Sequence, residues 1–66
     1  MRITGSSRAI RRLNDNDKEK LEIMANIRKA DEVYVEYGDF YDGYNTRWKI
    51  VAKFKKSGKV IDWCTI

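Results

Sequence analysis

The clearest pattern in the chain is the alternation of apolar and polar residues in its second half. Val33, Val35 and Tyr37 alternate with more polar neighbours, a similar alternation returns over residues 46–56, and residues 60–66 are expected to close the sheet. A period of two is typical of β-strands that bury one face and expose the other. The pattern therefore predicts a three-stranded antiparallel β-meander over residues 32–66.

Two glycine-containing pairs mark the predicted turns of this meander. Asp42-Gly43 and Ser57-Gly58 both fit two-residue hairpin turns, in which glycine adopts a positive φ. The first turn would place Glu36 opposite Lys49 on the outer face of the sheet. A four-residue loop over residues 42–45 keeps the same faces but loses this charge match, so the two-residue turn is the favoured prediction.

A helix is predicted before the sheet, over residues 16–30. Apolar residues recur there with the three- and four-residue spacing of an amphipathic helix. Asn16 and Glu19 have the spacing of a capping box, and Arg28 and Lys29 place positive charge near the end, as the helix dipole favours. We expect this helix to pack on the inner face of the meander.

The predicted core lies between that helix and the inner face of the sheet. With the two turns described above, both tryptophans point inward and are expected to be buried. Together these elements define an α+β fold. The predicted core residues are Leu21, Met24, Ile27, Val33, Val35, Tyr37, Trp48, Ile50, Ala52, Phe54, Ile61 and Trp63.

The distribution of charge separates the start of the chain from the rest. Residues 1–14 contain Arg2, Arg8, Arg11 and Arg12 and no acid, whereas the remaining chain holds ten basic and ten acidic side chains. The net charge of +4 therefore resides in this basic arm. The last three of these arginines share one face if the arm forms a short helical turn.

The composition excludes several functional classes. The 66 residues are enough for one domain, residues 1–66, and they include one cysteine and no histidine. A disulfide within the chain is therefore impossible, and the usual zinc ligands and histidine-based catalytic pairs are missing. In so small a chain without these residues we expect a binding protein rather than an enzyme, with no cofactor or metal. Because the sequence shows no secretion signal or membrane span, we expect the protein to be cytoplasmic.

The arginine cluster is the strongest functional feature of the sequence. Arg8, Arg11 and Arg12 offer the rigid forks that bind phosphate and carboxylate oxygens. The predicted function is a small nucleic-acid-associated regulatory or binding protein that contacts phosphate through this cluster. An acidic protein surface would suit the same side chains, and a solvated helix face without any ligand is the plainer interpretation.

A second basic surface is predicted on the outer face of the sheet. Basic residues interleaved with aromatic ones on an open sheet bind single strands in several protein classes. The second predicted turn would also place Asp62 opposite Lys53, and such ion pairs can simply keep the face soluble. Val51 and Val60 on this face are expected to be covered by the basic arm, with cover by a partner as the alternative. The predicted contact residues of the central strand are Arg47, Lys49, Lys53 and Lys55.

A protein partner is the competing functional prediction. Phe40, Tyr41 and Tyr44 lie near the predicted hairpin tip, where aromatic side chains can anchor an interface. Strand 60–66 lies at the predicted sheet edge, which would allow strand addition by a partner or a homodimer. In that interpretation the chain is a small inhibitor or adaptor, of the kind that phage or mobile-element genes encode.

Overall fold

The chain forms a four-stranded sheet with two helices on one of its faces. In this computed structural model the elements are, in chain order, β1 (Arg2–Gly5), α1 (Ser7–Arg12), α2 (Asp15–Arg28), β2 (Glu32–Asp42), β3 (Asn45–Lys56) and β4 (Lys59–Thr65). The structure describes the backbone of residues 2–43 and 45–66 and the side chains of residues 2–39, 43 and 48–66. The predicted α+β class is confirmed, whereas a three-stranded antiparallel sheet with one main helix matches only roughly.

The first strand is the main element that the sequence pattern does not predict. β1 pairs with β2 in parallel, with Ile3 beside Val33, and so makes a mixed sheet of order β1-β2-β3-β4. Parallel neighbours need a long crossover, which α1 and α2 provide. Thr4 Oγ1 also donates a hydrogen bond to Glu32 Oε2 at 2.8 Å across this pair. The predicted basic arm is therefore an edge strand followed by a helix.

The long helix α2 starts at a different cap from the predicted one. Asn14 Oδ1 accepts a hydrogen bond from the backbone N–H of Asp17 at 2.8 Å, and Asp17 Oδ2 accepts one from the backbone N–H of Asn14 at 3.3 Å. This capping box replaces the predicted pair of Asn16 and Glu19, which has the same spacing. Lys29 ends the helix in a left-handed conformation with a φ of 57°.

The β2–β3 hairpin keeps the predicted faces but not the predicted pairs. Tyr37 lies opposite Ile50, and the last pair is Asp42 with Asn45, so the turn begins at Gly43 and not at Asp42. The cross-strand partners thus differ from the predicted ones by two residues, as the longer-loop alternative would place them. An even shift leaves every side chain on its predicted face.

A β-bulge between β3 and β4 moves the side chains of residues 62–65 to the faces opposite to the predicted ones. The predicted turn at Ser57-Gly58 is confirmed, because the strand residues that flank it pair with each other. The register then shifts next to Phe54, which pairs with Asp62. A shift by one residue exchanges the two faces of a strand. Trp63 consequently lies opposite Lys53 on the outer face and is 58% exposed.

The core is smaller than the predicted one and draws on both helices. Burial of the two tryptophans, Ile27 and Ile61 is the wrong part of the prediction, because all four side chains are exposed. Met24 and Tyr37 are half-buried at the edge of the core. The buried apolar side chains are Ala9, Leu13, Leu21, Ala25, Val33, Val35, Ile50, Ala52 and Phe54.

Arg28 closes the core on the side of β4. Its guanidinium carbon lies 5.0 Å from the centroid of the Phe54 ring, and its Nε donates a hydrogen bond to Asp62 Oδ2. This hydrogen bond, together with one from the backbone N–H of Trp63, lowers the pKa of Asp62 below its ordinary value. The bulge supplies this partner, because it brings Asp62 to the helix side of the sheet. Ile27, the neighbouring helix residue, is left 73% exposed.

Candidate functional site

Helix α1 holds the arginine cluster on the helix side of the sheet. Ala9 and Leu13 are buried in the core, whereas Arg8, Arg11 and Arg12 are exposed. A helix this short depends on such packing and not on its intrinsic propensity. Among the side chains that the structure describes, none of these arginines forms an ion pair. Their guanidinium groups are therefore available to an external anion.

Two of the arginines border an open cleft between α1 and the β2–β3 hairpin. Arg8 and Arg12 lie four residues apart on one side of α1 and line this cleft of about 520 Å³ together with Tyr37 and Trp48. Arg11 is not among the described residues that line it. The cleft thus brings two guanidinium groups next to two aromatic rings.

Trp48 lines the cleft but stays exposed, and the strands of the sheet are longer than helix α2, which packs on them. The 14 residues of α2 span ~21 Å, whereas the 12 residues of β3 span ~40 Å. Trp48 lies on the inner face but is 69% exposed. Asp39, its partner across the hairpin, places one carboxylate on the same sheet face as the arginines.

The aromatic residues of the cleft are the part of the site that the sequence pattern does not reveal. Tyr37 and Trp48 alternate with polar neighbours in register with the core, so the pattern assigns both to the interior. The signal that could have placed Trp48 outside is the excess length of the predicted strands over the predicted helix. Length, and not periodicity, decides which inner-face positions the helix reaches.

Lys49, Lys53 and Lys55 of β3 lie on the opposite, outer face of the sheet. Lys53 Nζ lies 2.7 Å from Glu36 Oε1, and this hydrogen-bonded ion pair raises the pKa of Lys53. Lys55 Nζ lies 4.8 Å from the centroid of the Tyr34 ring. The predicted pairing of Lys53 with Asp62 is wrong, because the bulge places Asp62 on the inner face. The arginine cluster and the basic strand therefore do not form one continuous surface.

The outer face also carries a tryptophan, and helix α1 does not cover it. Trp63 lies opposite Lys53 and Val60 opposite Lys55, and both apolar side chains are exposed. The predicted cover by the basic arm is wrong, because α1 packs into the core on the other face. Lys49 is exposed and has no ion-pair partner among the described side chains.

The remaining predicted interfaces rest on residues of the hairpin tip and on β4. Phe40, Tyr41, Tyr44 and Arg47 lie outside the described side chains, so their predicted roles stay predictions. β4 is an edge of the sheet, and pairing of two copies through strand 60–66 also stays a prediction. On this strand Cys64 is half-buried, and burial raises the pKa of its thiol, which disfavours the reactive thiolate.

Comparison with known proteins assigns no function to this site. Comparison of the chain with protein-family models, curated proteins and solved structures gave no match. Within the described part of the chain, neither helix has the length and apolar character needed to cross a membrane. The cleft and the two sheet faces therefore have to be interpreted from their own chemistry.

Proposed function

We propose that this protein binds nucleic acid and that Arg8 and Arg12 contact its phosphates from the cleft beside α1. The observation that carries the proposal is the convergence of these two side chains on one open cleft. Arginine forks match phosphate oxygens in geometry and charge, and they bind most strongly when no internal carboxylate competes. Neither side chain has such a partner among the described residues.

The charge balance of the chain supports the same surface. Acidic and basic side chains are equal in number after residue 14, at ten each, so the excess of +4 belongs to the segment that forms β1 and α1. Arg2 Nη2 in that segment lies 3.8 Å from Glu32 Oε1, so the charge of Arg2 is partly neutralised. Long-range attraction toward a phosphate backbone should therefore be centred on α1.

We expect the double variant Arg8→Ala, Arg12→Ala to bind nucleic acid roughly 10- to 100-fold more weakly than the parent at low salt. The loss follows because each guanidinium removed deletes a charge-assisted contact with phosphate. The slope of log affinity against log salt should also become shallower by about 1.4 units for single strands. Fluorescence anisotropy of labelled DNA and RNA oligonucleotides at several salt concentrations measures both quantities.

Arg11→Ala is the matched control for this experiment. Arg11 belongs to the same helix and is equally exposed, but it does not line the cleft. Its replacement should weaken binding by about 3-fold or less, through the general field alone. Equal losses in the control and in the double variant would refute the cleft as the contact site. No binding by the parent at low salt would refute the function.

A protein partner is the second candidate function, and the surface around β4 favours it. Val60 and Ile61 are exposed near the sheet edge, and a groove of about 280 Å³ lies between β4 and α2, lined in part by Met24, Cys64 and Ile66. Apolar surface of this kind suits an inhibitor or adaptor that adds to the sheet. Binding through it should change little with salt, whereas phosphate binding weakens steeply.

A further inference from the structure

We propose that the nucleic acid is single-stranded and that one of its bases stacks on the ring of Trp48 while the adjoining phosphates contact Arg8 and Arg12. This inference rests on the proposed function and specifies its ligand. Its starting point is that the cleft holds aromatic rings as well as guanidinium groups. Phosphate contacts alone would need only the arginines.

The exposure of Trp48 is the first observation that points to a base. The side chain is 69% exposed although it belongs to the inner face of the sheet, so it contributes little to the core. Tyr37 beside it is half-buried and borders the same cleft. Every base has an aromatic face that stacks on such a ring, and this stacking tolerates differences in sequence.

The arrangement of the residues that line the cleft is the second observation, and it favours a single strand over a duplex. Arg8 and Arg12 on α1 form one wall of the cleft, and the hairpin residues Tyr37 and Trp48 form the other. In a duplex the faces of the bases are hidden inside the stack, whereas an unpaired strand can turn a base outward. A base held between these walls must therefore come from an unpaired segment.

The two tryptophans provide a direct test, because they lie on opposite faces of the sheet. In the variant Trp63→Phe, Trp48 is the one remaining tryptophan, and its fluorescence should be quenched when a short single-stranded oligonucleotide binds. The blunt duplex of the same sequence should bind at least about 10-fold more weakly, since its bases are hidden inside the helical stack and cannot stack on Trp48. In the variant Trp48→Phe the fluorescence of Trp63 should not change.

A further variant, Trp48→Ala, separates stacking from charge. It should weaken single-strand binding about 10-fold and leave duplex binding unchanged, because the arginines remain. Equal affinity for single strand and duplex, without quenching of Trp48, would overturn the inference and leave phosphate binding in place. Quenching of Trp63 in the Trp48→Phe variant would overturn it by moving the strand to the outer face. Absence of binding to either ligand would instead reject the proposed function itself.

Discussion

Replacing Phe54 with alanine should destabilise the protein by about 3–5 kcal/mol, a large part of the stability of so small a domain. Phe54 is fully buried, and its ring packs between the sheet and the guanidinium group of Arg28. Its removal would leave a cavity, because the structure around a deleted core side chain relaxes only in part. Chemical denaturation, followed by circular dichroism, measures the change in the free energy of unfolding.

Trp63→Ala is the control for Phe54→Ala, because it tests the bulge between β3 and β4. If the register shifts beside Phe54, Trp63 lies on the outer face, and its loss should cost about 1 kcal/mol or less. Without the bulge Trp63 would lie under the helix, and its removal would cost as much as that of Phe54. Equal destabilisation by the two substitutions would therefore contradict the described register.

Gly5→Ala is expected to destabilise the fold by about 3 kcal/mol, by forcing β1 away from β2. Gly5 has a φ of +122°, and a Cβ atom there would overlap the backbone of Val35. The next residue, Ser6, donates its backbone N–H to the carbonyl oxygen of Val35 at 2.9 Å, so the close approach is also hydrogen-bonded. Denaturant unfolding of the parent and of the variant measures the difference in the free energy of unfolding.

Gly58→Ala is the control for Gly5→Ala, because it separates the backbone strain of a positive φ from the steric overlap of the added Cβ atom. Gly58 also has a positive φ, of +79°, but a Cβ atom there would meet open space. Its replacement should cost only the strain of a left-handed residue, about 1 kcal/mol. If Gly5→Ala were as mild as Gly58→Ala, the close pairing of β1 with β2 would not exist in solution.

The elements that the sequence predicts well are those with long, regular patterns. The period of α2, the alternation of β2 and β3 and the turn at Ser57-Gly58 are all present in the structure. β1 has only four residues, too few for a clear pattern, and it forms by pairing with a strand that is distant in the sequence. The bulge beside Phe54 also cannot be predicted from the alternation of residues. One extra residue in β4 moves every later side chain of that strand to the other face of the sheet.

Only the arginine half of the candidate site could be predicted from the sequence. Exposure of Arg8 and Arg12 follows from the spacing of α1, because Ala9 and Leu13 take the buried side. The aromatic half depends on where the helices end relative to the hairpin, which is a tertiary property. Trp48 therefore has the alternation of a core residue and the exposure of a surface one.

The central claim is that the cleft beside α1 binds a nucleic-acid strand, and NMR chemical-shift mapping tests it most directly. A short single-stranded oligonucleotide would be titrated into the uniformly ¹⁵N-labelled protein. We predict shifts in the backbone signals of residues 7–12 and 37 and in the indole N–H of Trp48, with the indole N–H of Trp63 unchanged. Shifts centred on Trp63 and Lys49, with α1 unaffected, would contradict the account and place the binding surface on the outer face of the sheet.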